Sequence, residues 1–247
     1  MADNSTDVLS TPSGISHLRK PRQLPEANPA LAIRLIGWFD TNARSYPWRR
    51  NDTAFHVLTA ELMLQRTRAD QVEPIWTRFA ETYGGPQDLL HAGRPAVDEI
   101  FGPLGLHWRA DQYWALCREL VAEYDGRVPA NRDALMSLPG VGQYAAGTTL
   151  TNAFRKPTGV LDSNILRVYG RYFGIEFTDS DRRRKAVFEW ADGLLPQDPD
   201  EARRYNLALV DLGALICTPK TPNCSECPLR EECGYAVDPT QELVPGS

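Results

Sequence analysis

Four of the chain's five cysteines fall in one stretch, CTPKTPNCSECPLREEC, as Cys217, Cys224, Cys227 and Cys233, a C-x6-C-x2-C-x5-C run. In a reducing compartment, thiols bunched in this way read as metal ligands before they read as disulfides. Their spacing alone leaves zinc and an iron–sulfur cluster both open. A second kind of chemistry is written in LPGVGQYAAGTTL, residues 138–150, where Pro139, Gly140 and Gly142 enforce a tight turn ahead of a helix starting near Gln143. Glycines let a backbone approach a ligand closely, and amides at a helix N-terminus bind anions without any net positive charge. The turn therefore predicts a phosphate site, with a plain helix–helix connection as the bland alternative.

Two carboxylates complete the set. Asp162, in VLDSNILRVYGRYFG and eighteen residues beyond Tyr144, precedes a helix, where an aspartate taken alone is an ordinary N-cap. Glu61, in FHVLTAELMLQRT, falls at helical spacing on the face of Val57, Leu58 and Leu64. That is a poor place for a solvated charge, although a boundary glutamate reads the same way.

These residues need helices to hold them, and the chain supplies helices almost throughout. One-face stripes run through Leu31, Leu35, Trp38 and Phe39, through Val72, Ile75, Trp76, Phe79 and Tyr83, and through Tyr113, Leu116, Cys117, Leu120 and Tyr124. Further stripes follow at Ile165, Val168 and Tyr169, then at Tyr205, Leu209, Leu212 and Ile216. Cys117 lies inside its stripe and reads as a small buried hydrophobe. GRVPA and KPTGVLD are too short or too broken by proline to build a sheet. The expectation is an all-α chain of roughly ten helices punctuated by Gly and Pro. Residues 1–28 read as a tail with a small basic patch from His17 to Gln23, and 237–247 as a second tail.

At 247 residues the chain fits one large or two small domains, and 42% apolar with 24% charged residues is ordinary globular composition. No apolar run approaches the roughly 20 residues that span a bilayer, and MADNSTDVLSTPSG lacks a signal-peptide core. A soluble, cytoplasmic protein with no membrane association is expected. The net charge of −5 argues against generic polyanion binding, but not against binding by local amides.

The hairpin LPGVG, the aspartate of VLDSN and the terminal LVDLGALICTPKTPNCSECPLREEC together resemble the helix-hairpin-helix DNA glycosylases that carry an iron–sulfur cluster, from Pro47 to Cys233. The resemblance implies a [4Fe–4S] cluster in place of zinc, on Cys217, Cys224, Cys227 and Cys233. It implies a six-helix barrel with the hairpin over 55–157 and a cluster domain made of 29–54 and 158–236. The groove between them would take double-stranded DNA containing a mismatched or damaged base, with one nucleotide flipped out because its bond cannot be reached inside the stack. The implied catalytic residues are Asp162 beside the sugar, Glu61 to protonate or hydrogen-bond the departing base, and Tyr144. The implied DNA contacts are Gln65, Leu106, His107 and the hairpin residues Pro139, Gly140, Val141 and Gly142.

Members of the family that also cut the strand carry a lysine where this chain has Tyr144, so no Schiff-base amine is expected. That tyrosine, with PLGLHWRADQ, DGRVPANR and RYFG, is similar to the thymine glycosylases that act on G·T and G·U mismatches. AELMLQRT is about as similar to the adenine glycosylases acting opposite 8-oxoguanine, in which a glutamine at the place of Gln65 probes the helix. A non-catalytic DNA-binding module is a reading of another class, disfavoured by the presence of both Glu61 and Asp162. A nucleoid-associated monomer is expected.

Overall fold

The structure, a computed structural model, describes residues 24–26, 28–51, 53–105, 107–237 and 244–245. The basic patch at 17–23, Leu106 and most of the C-terminal tail lie outside the described residues. Helix α1 (Pro29–Asn42) begins where Asn28 Oδ1 accepts from the Ala30 amide at 2.9 Å and Pro29 supplies the fixed φ of a first helical position. It buries Leu31, Leu35 and Phe39, the face that the spacing predicts.

Seven helices follow: α2 (Ala54–Leu64), α3 (Ala69–Thr82), α4 (Pro86–Ala92), α5 (Arg94–Phe101), α6 (Trp108–Tyr124), α7 (Arg132–Ser137) and α8 (Gln143–Phe154). They close on one apolar core that includes Phe55, Met63, Phe79, Phe101 and Tyr113, and α2 lies directly on α8. Cys117 is fully buried in this core, and burial pushes its thiol up to about 12, so it behaves as a hydrophobe.

The remaining helices are α9 (Ser163–Phe173), α10 (Lys185–Gly193), α11 (Pro199–Leu215) and α12 (Gly234–Val237). With α1 they form a second core around Leu35, Tyr169, Phe188, Tyr205 and Leu209, in which α11 packs on both α1 and α9. The second core is thus assembled from chain on either side of the first. Tyr144, the second residue of α8, packs against this second core although its helix lies mainly in the first.

Helices dominate, as expected, and the strands among the described residues are a parallel pair, β1 (Ile175–Glu176) with β2 (Val244–Pro245). Two residues each are too few to leave a period in the sequence. Helix α2 departs from expectation in a more useful way, because every residue from Phe55 to Met63 is buried and the helix has no solvent face. Its polar side chains therefore need internal partners. His56 lies between the Asn51 amide at 3.2 Å and the Tyr83 carbonyl at 2.7 Å, while the Thr59 hydroxyl donates to the Phe55 carbonyl and meets the Tyr113 hydroxyl at 2.8 Å. Glu61 is the exception: among the described residues no hydrogen bond holds its carboxyl.

Candidate active site

Glu61 opens instead into a cleft of about 270 Å³ between the two cores. Tyr144, Thr148 and Asn152 from α8, Asp162 and Asn164 from the start of α9, and Arg44, Tyr46 and Arg49 from the segment after α1 share its lining. The structure thus brings together the three side chains singled out for catalysis, from positions a hundred residues apart in the chain.

Burial raises the Glu61 carboxyl to about 8; the nearby positive charge of Arg49 opposes this and the negative charge of Asp162 adds to it. Burial likewise pushes the Tyr144 hydroxyl well above its ordinary value, helped by Glu61 and Asp162, so it is a neutral donor at physiological pH. Asp162 caps α9: Oδ1 accepts from the Ile165 amide at 2.7 Å and Oδ2 from Asn164 Nδ2 at 3.0 Å. The N-cap and the cleft carboxylate are one residue, so the two readings of Asp162 do not compete. A neutral acid and a carboxylate held by N–H donors in one cleft are equipped for acid–base work on a single substrate.

A wall that the sequence reading missed completes the cleft. Asp211 on α11 is fully buried, accepting from the Arg44 amide at 2.9 Å, Arg44 Nε at 2.7 Å, and Arg49 Nη1 and Nη2 at 2.8 and 2.7 Å. Burial works to raise its carboxyl, and the Arg49 and Arg44 donors overcome this and hold it below the usual range. Tyr46 stacks on Trp48 at 4.7 Å, with the Arg44 and Arg49 guanidinium carbons 5.4 and 5.5 Å from its ring centroid. The YPWRR stretch carried a signal of interleaved aromatic and basic residues. Nothing local tied it to Asp211, 162 positions after Arg49.

The hairpin is a turn closed by the Val141 amide on the Leu138 carbonyl at 3.1 Å. Gly140 has φ of 78°, and a Cβ there would meet Gln112 Oε1 at 2.9 Å, so glycine is needed for the fold itself. Gly142 differs: its φ is −100° and an added Cβ would meet nothing within 4 Å. It is the N-cap of α8 and brings no side-chain cap, which leaves the first amides of α8 open to a ligand. Pro139 is half-buried and Val141 buried. Gln65, at the end of α2, donates through Nε2 to the Gly140 carbonyl at 3.0 Å, joining the two segments. His107 stands exposed at the start of α6.

All four terminal cysteines are free thiols and line one cavity beside α9. Burial raises the Cys227 thiol to about 11, and Cys233, Cys217 and Cys224 push in the same direction by their proximity. Two arginines of α9 hold the loop: Arg167 Nε donates to the Cys217 carbonyl at 2.8 Å, and Arg171 donates to the Thr218 and Pro219 carbonyls at 2.7 and 2.8 Å. Among the described residues no three His, Cys, Asp or Glu side chains are grouped to hold a metal ion as they stand.

Two helical cores flank a cleft that holds two unlike carboxyls, with a hairpin whose helix-start amides lack a side-chain cap. The sequence model of the HhH-GPD superfamily of base excision DNA repair proteins matches residues 59–192, and the chain belongs to that superfamily. It is 34% identical over 202 residues to the thymine/uracil-DNA glycosylase of Methanothermobacter thermautotrophicus, covering 81% of this chain and 90% of that one. It is also 34% identical over 226 residues to the human adenine DNA glycosylase, covering 86% of this chain but 41% of that protein. A thermostable thymine-DNA glycosylase of solved structure superposes with a TM-score of 0.77 at 33% identity, over 83% of this chain and 94% of the other.

Proposed function

We propose that this base-excision DNA glycosylase, a hydrolase of N-glycosyl bonds, removes thymine or uracil mispaired with guanine and leaves the strand intact. The observation that carries the reading is Tyr144, which lies in the cleft with Glu61 and Asp162 where an amine would be needed to attack the sugar. No lysine lines the cleft among the described residues. The likeness to a thymine/uracil enzyme over 81% of this chain and 90% of the other supports the same substrate class.

Breaking the bond builds positive charge on the sugar and negative charge on the departing base. Asp162 offsets the first, and Glu61, neutral at physiological pH, donates its proton to the second. Water then completes the hydrolysis. The two cores act as two lobes with duplex DNA between them, and the flipped base enters the cleft against the ring of Tyr144, which leaves room for a compact pyrimidine. The open amides of the hairpin, Gly140 to Gly142, hold a backbone phosphate, while Gln65 and His107 meet the opened helix.

The four free thiols lining one cavity fit a [4Fe–4S] cluster, which spreads its thiolates around several atoms more widely than a single ion does. Cys217, Cys224, Cys227 and Cys233 would hold it, and it would fix the loop that Arg167 and Arg171 already tie to α9. Anaerobically purified protein is expected to contain about four irons per chain. Stoichiometric zinc without iron refutes the cluster.

The substrate reading is tested with duplexes carrying G·T, G·U, A·G and A·8-oxoguanine, with and without alkali. Excision of thymine and uracil, with strand breaks only after alkali, is the expected result; preferential loss of adenine would sink it. Tyr144→Lys should add strand cutting through a Schiff base that borohydride traps.

A further inference from the structure

Arg109, in the first turn of α6, is 3% exposed, yet among the described residues no carboxylate pairs with it. Its two terminal nitrogens are held by backbone carbonyls alone. Nη1 donates to the carbonyls of Met63 at 2.8 Å and Gln65 at 2.9 Å, and Nη2 donates to those of Leu104 at 2.7 Å and Gly105 at 3.1 Å. Nε is buried without a partner. Burying a cation is costly, and burial lowers its pKa accordingly. The arrangement also uses what a guanidinium alone offers, a rigid planar fork whose two ends reach two different segments at once.

The first segment is the exit of α2, where terminal carbonyls lack helical partners and the helix dipole favours a cation. It carries Gln65, whose side chain reaches the Gly140 carbonyl, and Arg66, held at φ of 55°. The second segment is the loop after α5 that leads through Gly105 to exposed His107. Three loops therefore meet: Gln65 joins the hairpin, and Arg109 joins Gln65 to 104–105.

Resting on the reading above that these loops meet an opened DNA helix, we propose that Arg109 is a positioning residue that locks them into one rigid unit. It acts on base opening and takes no part in bond cleavage. A unit fixed beforehand meets the distorted duplex without first being ordered, whereas separate loops must be ordered at the moment of binding.

Arg109→Lys keeps the charge but offers one point where two pairs of carbonyls need bridging. Excision of uracil from a G·U duplex should fall by about tenfold or more, while excision from a single-stranded uracil oligonucleotide, which needs no opening, should change by less than about threefold. Hydrogen exchange in the variant should accelerate together at 63–66 and 104–108. Equal losses on both substrates, or none on either, overturn the proposal, and so does faster exchange in one segment only. Should Arg109→Lys not fold, Gly105→Ala replaces it: at φ of 70° the added methyl strains the loop while meeting nothing within 4 Å, and the same selective loss is required. If the parent protein excises uracil from neither substrate, the substrate reading fails while the exchange measurement still decides the lock.

Discussion

Asp162→Asn is expected to lower turnover by at least about 10²–10³-fold while DNA affinity stays within about threefold. On the proposed mechanism the change removes the negative charge that offsets the developing sugar cation, and it keeps the size of the side chain. Asparagine is as good an N-cap as aspartate, so the bond to the Ile165 amide survives and α9 still starts at Ser163. The donor from Asn164 must turn away from the new amide, a local cost that thermal unfolding would register as a small shift. Single-turnover rates and binding to a non-cleavable G·T duplex separate the two effects. Activity within about tenfold of the parent, a loss of only about 1.4 kcal/mol, would assign the charge to another residue.

Glu61→Gln is expected to cost about 10²–10⁴-fold, since the amide can still hydrogen-bond the departing base but has no proton to give. The pH dependence is the sharper readout. With the Glu61 carboxyl raised to about 8, kcat/KM of the parent should fall as pH rises through that value, and the variant should lack this limb. Arg49, Asp162 and Tyr144 are the charged or titratable groups that face it; burial is the largest influence, Asp162 adds to it, and only Arg49 opposes it. Stability follows the same sign. A carboxyl whose folded pKa lies above its ordinary 4.5 favours the folded state while protonated; that contribution is complete below 4.5 and is lost as pH rises through about 8. The variant, neutral throughout, should therefore gain relative to the parent between about pH 5 and 8.5 in urea unfolding. An alkaline limb that persists in Glu61→Gln assigns the titration elsewhere.

What could be read from the sequence was what the chain writes locally. The cysteine run, the LPGVG turn and the Asp162 cap each depend on neighbours a few positions away, and the structure describes each as a local feature. The stripes of α1 and α3 were visible for the same reason. Glu61 was seen through a weaker argument than it merited: α2 is buried all round, so a face-by-face reading could not tell a misplaced charge from a boundary one. The Arg44–Arg49–Asp211 wall and the Arg109 hydrogen bonds were missed because their partners are distant in sequence or are plain carbonyls, which no residue pattern records.

Helix α1 leaves the ribosome with Leu31, Leu35 and Phe39 bare, and its partner α11 does not begin until Pro199. At about 5–20 residues per second, translation separates the two by on the order of ten to thirty seconds. The helices α2 to α8, whose core is complete by Phe154, can fold within that interval. Asp211, which fixes Arg44 and Arg49 against the cleft, is among the last of its parts to be synthesised. A nascent chain can therefore carry a finished hairpin for several seconds before the walls of its cleft are complete.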